Sequence, residues 1–161
     1  MSVGFARVSV FCRHLERSLA FYRDLLGMVA VEDKVIEGPA AGALLQLPAC
    51  RMRIVLLAPA ASAEVVVGLF GISGVPLAEV AAPSQGIARG QTALVLTTTE
   101  FDSVYAKLEA AGAKFLTPPV RYPKRQASER SPAGLYREMI VYDPDGQLIS
   151  LMQIDPLQAG A

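Results

Sequence analysis

The chain has 161 residues, a mass of 17.1 kDa and a formal net charge of zero, fifteen Lys and Arg balancing fifteen Asp and Glu. Apolar residues make up 52% and charged residues 19%, which excludes a disordered chain too polar to offset its conformational entropy. A neutral chain has no global field to draw in nucleic acid or an anionic membrane, so neither is expected as a partner.

Residues 5–12, FARVSVFC, alternate and are rich in β-branched side chains, which predicts a strand. Residues 15–26 carry apolar positions at Leu15, Leu19, Phe21, Tyr22, Leu25 and Leu26, a helical stripe closed by Gly27. Strands are expected near 28–36, 42–47 and 51–58. The stretch 59–90 reads as a long linker whose apolar part, Val65 to Ile72, packs against the fold. Residues 91–97 begin the same order again. A helix at 100–111, closed by Gly112, and strands near 113–117, 136–142 and 147–154 follow. The last two strands flank the turn Asp143-Pro144-Asp145-Gly146. The loop 118–135 carries Arg121, Lys124, Arg125 and Arg130 against Glu129, either a solvated basic loop or a lid.

Gly27 and Gly112 are 85 residues apart, and the same offset carries Arg7 to Thr92. An offset of 95 carries Ile54-Val55-Leu56-Leu57 to Ile149-Ser150-Leu151-Met152. These offsets predict an α+β fold of two βαβββ modules, about 4–58 and 91–155. Together they would form a curved, cupped mixed sheet with helices on its convex faces.

Cys12 and Cys50 form no Cys-x-x-Cys pair and read as buried apolar side chains. The N-terminal residues lack the order of a signal peptide, and no stretch approaches the ~20 apolar residues that span a bilayer. A cytoplasmic protein is expected. The only histidine, His14, falls at the helix N-terminus and is not expected to be catalytic. No Ser-His-acid set is evident, and GLFGISG at 68–74 lacks the Lys-Ser/Thr ending of a phosphate loop.

FYRDLLGM at 21–28 and YDPDGQLISL at 142–151 resemble signatures of the vicinal oxygen chelate superfamily, which includes glyoxalase I, bleomycin-resistance proteins and extradiol dioxygenases. In metal-using members the ligands sit on the first and last strand of each module. The resemblance carries those positions onto Arg7, Val55, Thr92 and Ser150, with Ser150 where a metal-using relative has Glu. A cation, an apolar side chain and two hydroxyls do not make a divalent-metal site. A slip of one residue brings in Gln91 but still gives no set. No metal and no cofactor are therefore expected. The resemblance also implies a homodimer.

Alternation places Arg7, Ser9 and Phe11 on the cavity face, with Arg53, Val55 and Leu57, then Leu148, Ser150 and Met152, and with Glu138, Ile140 and Tyr142 beside them. Such a wall suits a small organic ligand, with Phe11, Arg53, Val55, Thr92, Ser150 and Met152 as contacts. Arg7 would hold an oxyanion or form an ion pair. Glu138 would act as a general base or remain a paired carboxylate, and Tyr142 would donate to a substrate oxygen or pack within its strand. Three functions follow: a metal-free binder of an apolar or aromatic molecule, a metal-independent lyase or isomerase using Arg7 and Glu138, and a metal-dependent lyase or dioxygenase. The third conflicts with the four positions.

Overall fold

A computed structural model describes residues 2–81 and 86–157. The chain divides into two compact units, Met1–Ala81 and Ala82–Ala161. Residues 82–85 of the expected linker lie outside the described residues.

In the first unit, β1 (Val8–Cys12) leads into a helix, α1 (Leu15–Leu19), which continues as a π-helical segment, Ala20–Leu25. Then come β2 (Val29–Gly38), α2 (Pro39–Ala43), β3 (Cys50–Ala58) and β4 (Val67–Ser73). The sheet order is β1-β4-β3-β2, with β1 parallel to β4 and the other pairs antiparallel. Two expectations are corrected here. Residues 42–47 are not a strand: Pro39 at the first turn, where its missing N–H costs nothing, starts a short helix on Gly38 at φ 85°. The apolar stretch read as linker contains β4, which supplies the module's last strand.

In the second unit, β5 (Ala93–Thr97) is followed by α3 (Phe101–Ala110), β6 (Phe115–Lys124), β7 (Gly134–Tyr142) and β8 (Leu148–Asp155). The order β5-β8-β7-β6 repeats the first sheet, again with one parallel pair, β5 with β8. The expected loop 118–135 is shorter than predicted. β6 runs to Lys124, where Nζ donates to Ser128 Oγ at 2.8 Å and Ser131 Oγ at 2.7 Å and ties the hairpin turn.

Each module is thus one four-stranded mixed sheet, with α1 or α3 packed on one face. In the first, a Cβ at Gly71 would touch Leu15 of α1 at 3.0 Å, which fixes the helix side of β4. Val55, Leu57, Val67 and Leu69 are fully buried on that side. In the second, Arg137 Nη1 bonds Asp102 of α3 at 2.7 Å and its guanidinium lies over Phe101, so Arg137, Met139, Ile149 and Leu151 mark the helix side.

The π-helical segment explains why one offset does not serve the whole repeat. The first module has one residue more between N-cap and closing glycine (His14 to Gly27) than the second (Glu100 to Gly112). A π turn absorbs one extra residue. Upstream of the helix the offset is therefore 86, which pairs Ser9 with Val95 and Phe11 with Thr97, all exposed. An offset of 85 would set Val10, 3% exposed, against Val95, 63% exposed.

Candidate functional site

The pairing register decides which side chains share the face of each sheet that lies away from α1 or α3. In the second module, Val95 pairs with Ser150, Ser150 with Ile140, and Glu138 with both Met152 and Val120. Pleating then places Val95, Ser150, Met152, Ile140, Glu138 and Val120 on one face, with Tyr142 and Leu148 at one end and Tyr122 and Tyr136 at the other.

Glu138 is the centre of this face. Ser150, 4% exposed, donates from Oγ to Oε1 at 2.7 Å, and the Tyr122 hydroxyl donates to Oε2 at 2.9 Å. The carboxylate thus has a fixed orientation while retaining unused lone pairs. The Tyr122 and Tyr136 rings stack at 5.4 Å and 18°. Burial, together with the hydrogen bond and negative charge of Glu138, raises the Tyr122 pKa, so this hydroxyl stays a donor into alkaline solution. Tyr136 turns its own hydroxyl to Pro132 O at 2.8 Å and presents only its ring. Tyr122 was not anticipated as a site residue because it falls in the stretch read as a loop. The signal was present: Tyr122 and Val120 alternate in phase, as strand residues do.

Tyr142 shares the face but not the cluster. Its hydroxyl donates to Gly86 O at 2.7 Å, and Lys114 Nζ lies 5.1 Å from its ring centre. Its proton is already committed to a backbone carbonyl. Thr92 precedes β5 and is exposed; the corrected offset matches it to Ala6, not to Arg7.

In the first module the face away from α1 carries Arg7, Ser9 and Phe11 beside Gly68 and Phe70, with Met52, Ile54 and Leu56 on β3, and α2 packs on it through Ala41. The Phe11 and Phe70 rings lie 5.4 Å apart. Most of the face is filled by the chain itself: Ala41, Cys50, Met52, Ile54 and Leu56 form a buried cluster, packed by Leu45, Val65, Phe70, Ile72 and Val75. What remains open is the β1 edge, where Arg7 is exposed and Phe11 is half-exposed. Arg7 forms no ion pair among the described residues.

Arg53 and Val55 were expected on this face and are on the other. Arg53 donates to Asp33 Oδ1 at 2.9 Å and Oδ2 at 2.7 Å and to Glu16 of α1, and Val55 is fully buried beneath the helix. Arg53 holds the Asp33 carboxyl below the usual carboxylate range. The 95-residue offset produced the error by matching β3 to β8. Since Ser9 pairs with Gly68 as Val95 pairs with Ser150, the first module's counterpart of Ser150 is Gly68.

These residues do not fit a divalent ion. The first- and last-strand positions hold Arg7, Ser9 and Gly68 in one module and Ala93, Val95 and Ser150 in the other, with Glu138 the only carboxylate on either β7 or β8 of that face. Among the described residues, no three His, Cys, Asp or Glu side chains come together as a metal-binding group. Gln91, the possible substitute, is engaged by Ala88 N at 3.1 Å and Gly146 O at 3.5 Å. His14 is exposed at the N-cap of α1 and makes no side-chain capping bond.

The model of the Glyoxalase/Bleomycin resistance protein/Dioxygenase superfamily matches residues 4–151. The chain belongs to this superfamily. A glyoxalase family protein from Bacillus cereus superposes with a TM-score of 0.78 at 18% identity, covering 96% of each chain. Glyoxalase I of Leishmania major gives 0.57 at 17% identity over 96% of this chain and 87% of its own. The fosfomycin resistance protein FosX of Listeria monocytogenes, solved with manganese(II) and sulfate, gives 0.50 at 13% identity over 94% and 93%. No curated protein matches. At these identities the structural likeness establishes the superfamily's two-module fold, and one fold hosts many chemistries. Among the described residues, no helix is long and apolar enough to cross a membrane.

Proposed function

We propose that this superfamily member binds an apolar or aromatic small molecule, without a metal ion, on the helix-free face of its second module. The observation that carries this reading is Glu138, held by Ser150 and Tyr122 and set among Val120, Ile140, Met152 and the paired tyrosine rings. A fixed polar group within apolar and aromatic surface is the usual composition of an organic-ligand site. Arg7 and Phe11 offer a second contact strip on the first module's own open edge. Arg53 and Val55 have no part in it.

A thermal-shift screen of uncharged and charged aromatic compounds, run with and without added manganese, nickel and zinc, tests this. A ligand at a hundred times its Kd adds about 2.7 kcal/mol of stability, or roughly 5–10 °C in Tm for a chain of this size. The shift should be the same without metal. Stabilisation that requires a metal contradicts the proposal. If the ligand is recovered unchanged, the protein sequesters it. Conversion to an isomer or cleaved product, lost in Glu138→Gln, instead makes Glu138 the base of a metal-independent lyase or isomerase.

We further propose a homodimer in the cytoplasm. In support, β1 and β5 end their sheets, with Phe11 50% and Val95 63% exposed along them, and both cysteines are free thiols. Sedimentation at the 17.1 kDa chain mass would reject the dimer.

A further inference from the structure

We propose that the ligand of the second module's helix-free face carries a positive charge delocalised over, or attached to, a flat aromatic group; this rests on the reading of that face as the binding site. Glu138 is the reason. Its two hydrogen bonds come from neutral hydroxyls, Ser150 and Tyr122, and it forms no ion pair among the described residues. Contrast the helix side of the same strand, where Arg137 meets both Asp102 at 2.7 Å and Asp155 at 3.0 Å. Charge on that side is matched within the fold, whereas the charge on the open side is not.

The two lysines on the face do not supply the missing partner. Lys124 is tied to the Ser128 and Ser131 hydroxyls of the hairpin turn, and Lys114 lies over the Tyr142 ring. Lys124 pairs with Gly134, four residues along β7 from Glu138, and Lys114 O accepts from Tyr142 N, four residues the other way along β7.

The second half of the recognition is aromatic. Tyr122 is 42% exposed and stacks on Tyr136, so one ring of the pair stays open beside the carboxylate it bonds. A planar cation laid on that ring gains from the ring's negative face and from the adjacent Glu138 charge together. An anion of the same shape meets the carboxylate and is repelled, and a neutral one gains the apolar contact alone.

The test is an NMR titration of the full chain with N-methylquinolinium, uncharged 4-methylquinoline and quinoline-4-carboxylate, in weakly alkaline buffer, following the Tyr122 and Tyr136 ring signals. The cation should bind roughly tenfold more tightly than the neutral ring, with the carboxylate weakest. Glu138→Gln keeps the shape and the acceptor oxygen and should remove the preference, whereas Glu138→Asp should retain it. Raising the salt on the unaltered chain should weaken only the cation, which provides a test even if a variant fails to fold. Equal binding of cation and neutral ring, or a preference that survives Glu138→Gln, overturns the charge assignment and leaves the binding face intact. If none of the three probes perturbs either tyrosine, both the charge assignment and the binding face fall.

Discussion

The side chain of Arg7 crosses β4 at Gly68, so closely that a Cβ there would lie 3.1 Å from Nε and 3.2 Å from Cδ. Gly68 is the first module's counterpart of Ser150, where the superfamily resemblance implies a ligand in metal-using members. In this chain the position has no side chain, and the arginine occupies the space above it. A guanidinium brings donors and a permanent positive charge, so it serves anions and repels metal ions.

Gly68→Ala should therefore displace Arg7 and press on Phe70, whose Cε2 would also be 3.1 Å away. Arg7 is exposed and can shift, so the cost should stay at about 1 kcal/mol or less. Arg7→Ala should recover part of the loss, and a double-mutant cycle by urea denaturation should show coupling between the two sites. Strictly additive effects would mean that the two do not touch.

Tyr122 should titrate above its ordinary value, and Glu138→Gln should bring it down, since the charge and hydrogen bond of Glu138 hold the proton on. A pKa raised by folding adds stability that is complete below the unfolded tyrosine value of about 10 and disappears as the pH climbs through the folded value. Ultraviolet titration of the phenols, with Tyr122→Phe to assign the signal, checks both statements. An unchanged Tyr122 transition in Glu138→Gln counts against the bond.

Val55→Ala and Val95→Ala report the two faces. Val55 is fully buried under α1, and its truncation should cost about 2 kcal/mol. Val95 is 63% exposed, and truncation there should stay within about 0.5 kcal/mol. Denaturant melts of the two variants suffice; the reverse order would return Val55 to the open face.

The modules were legible because hydrophobic periodicity, the two closing glycines and the Asp143–Gly146 turn are local signals. So were Glu138, Ile140, Ser150 and Met152 as neighbours: β7 and β8 are joined by that tight turn, and alternation alone sets their faces. Register across longer separations was not legible. Val55 and Arg53 were placed on the wrong side because Ile54–Leu57 resembles Ile149–Met152 as apolar strand, and apolar strands resemble one another wherever they lie in a sheet. Nothing local announces that the true partner of β1 is β4, which starts eight residues into the stretch that read as linker from 59, nor that a π turn shifts the repeat by one. A π-helical turn looks, in sequence, like any stretch of amphipathic helix.

The most direct test of metal-free binding is calorimetric titration of the chelator-treated full chain with manganese, nickel and zinc, each followed by elemental analysis after dialysis. With Arg7 over Gly68 and a single carboxylate at Glu138, no stoichiometric uptake should occur. One ion retained per chain, lost on substituting Glu138 or Ser150, would contradict it.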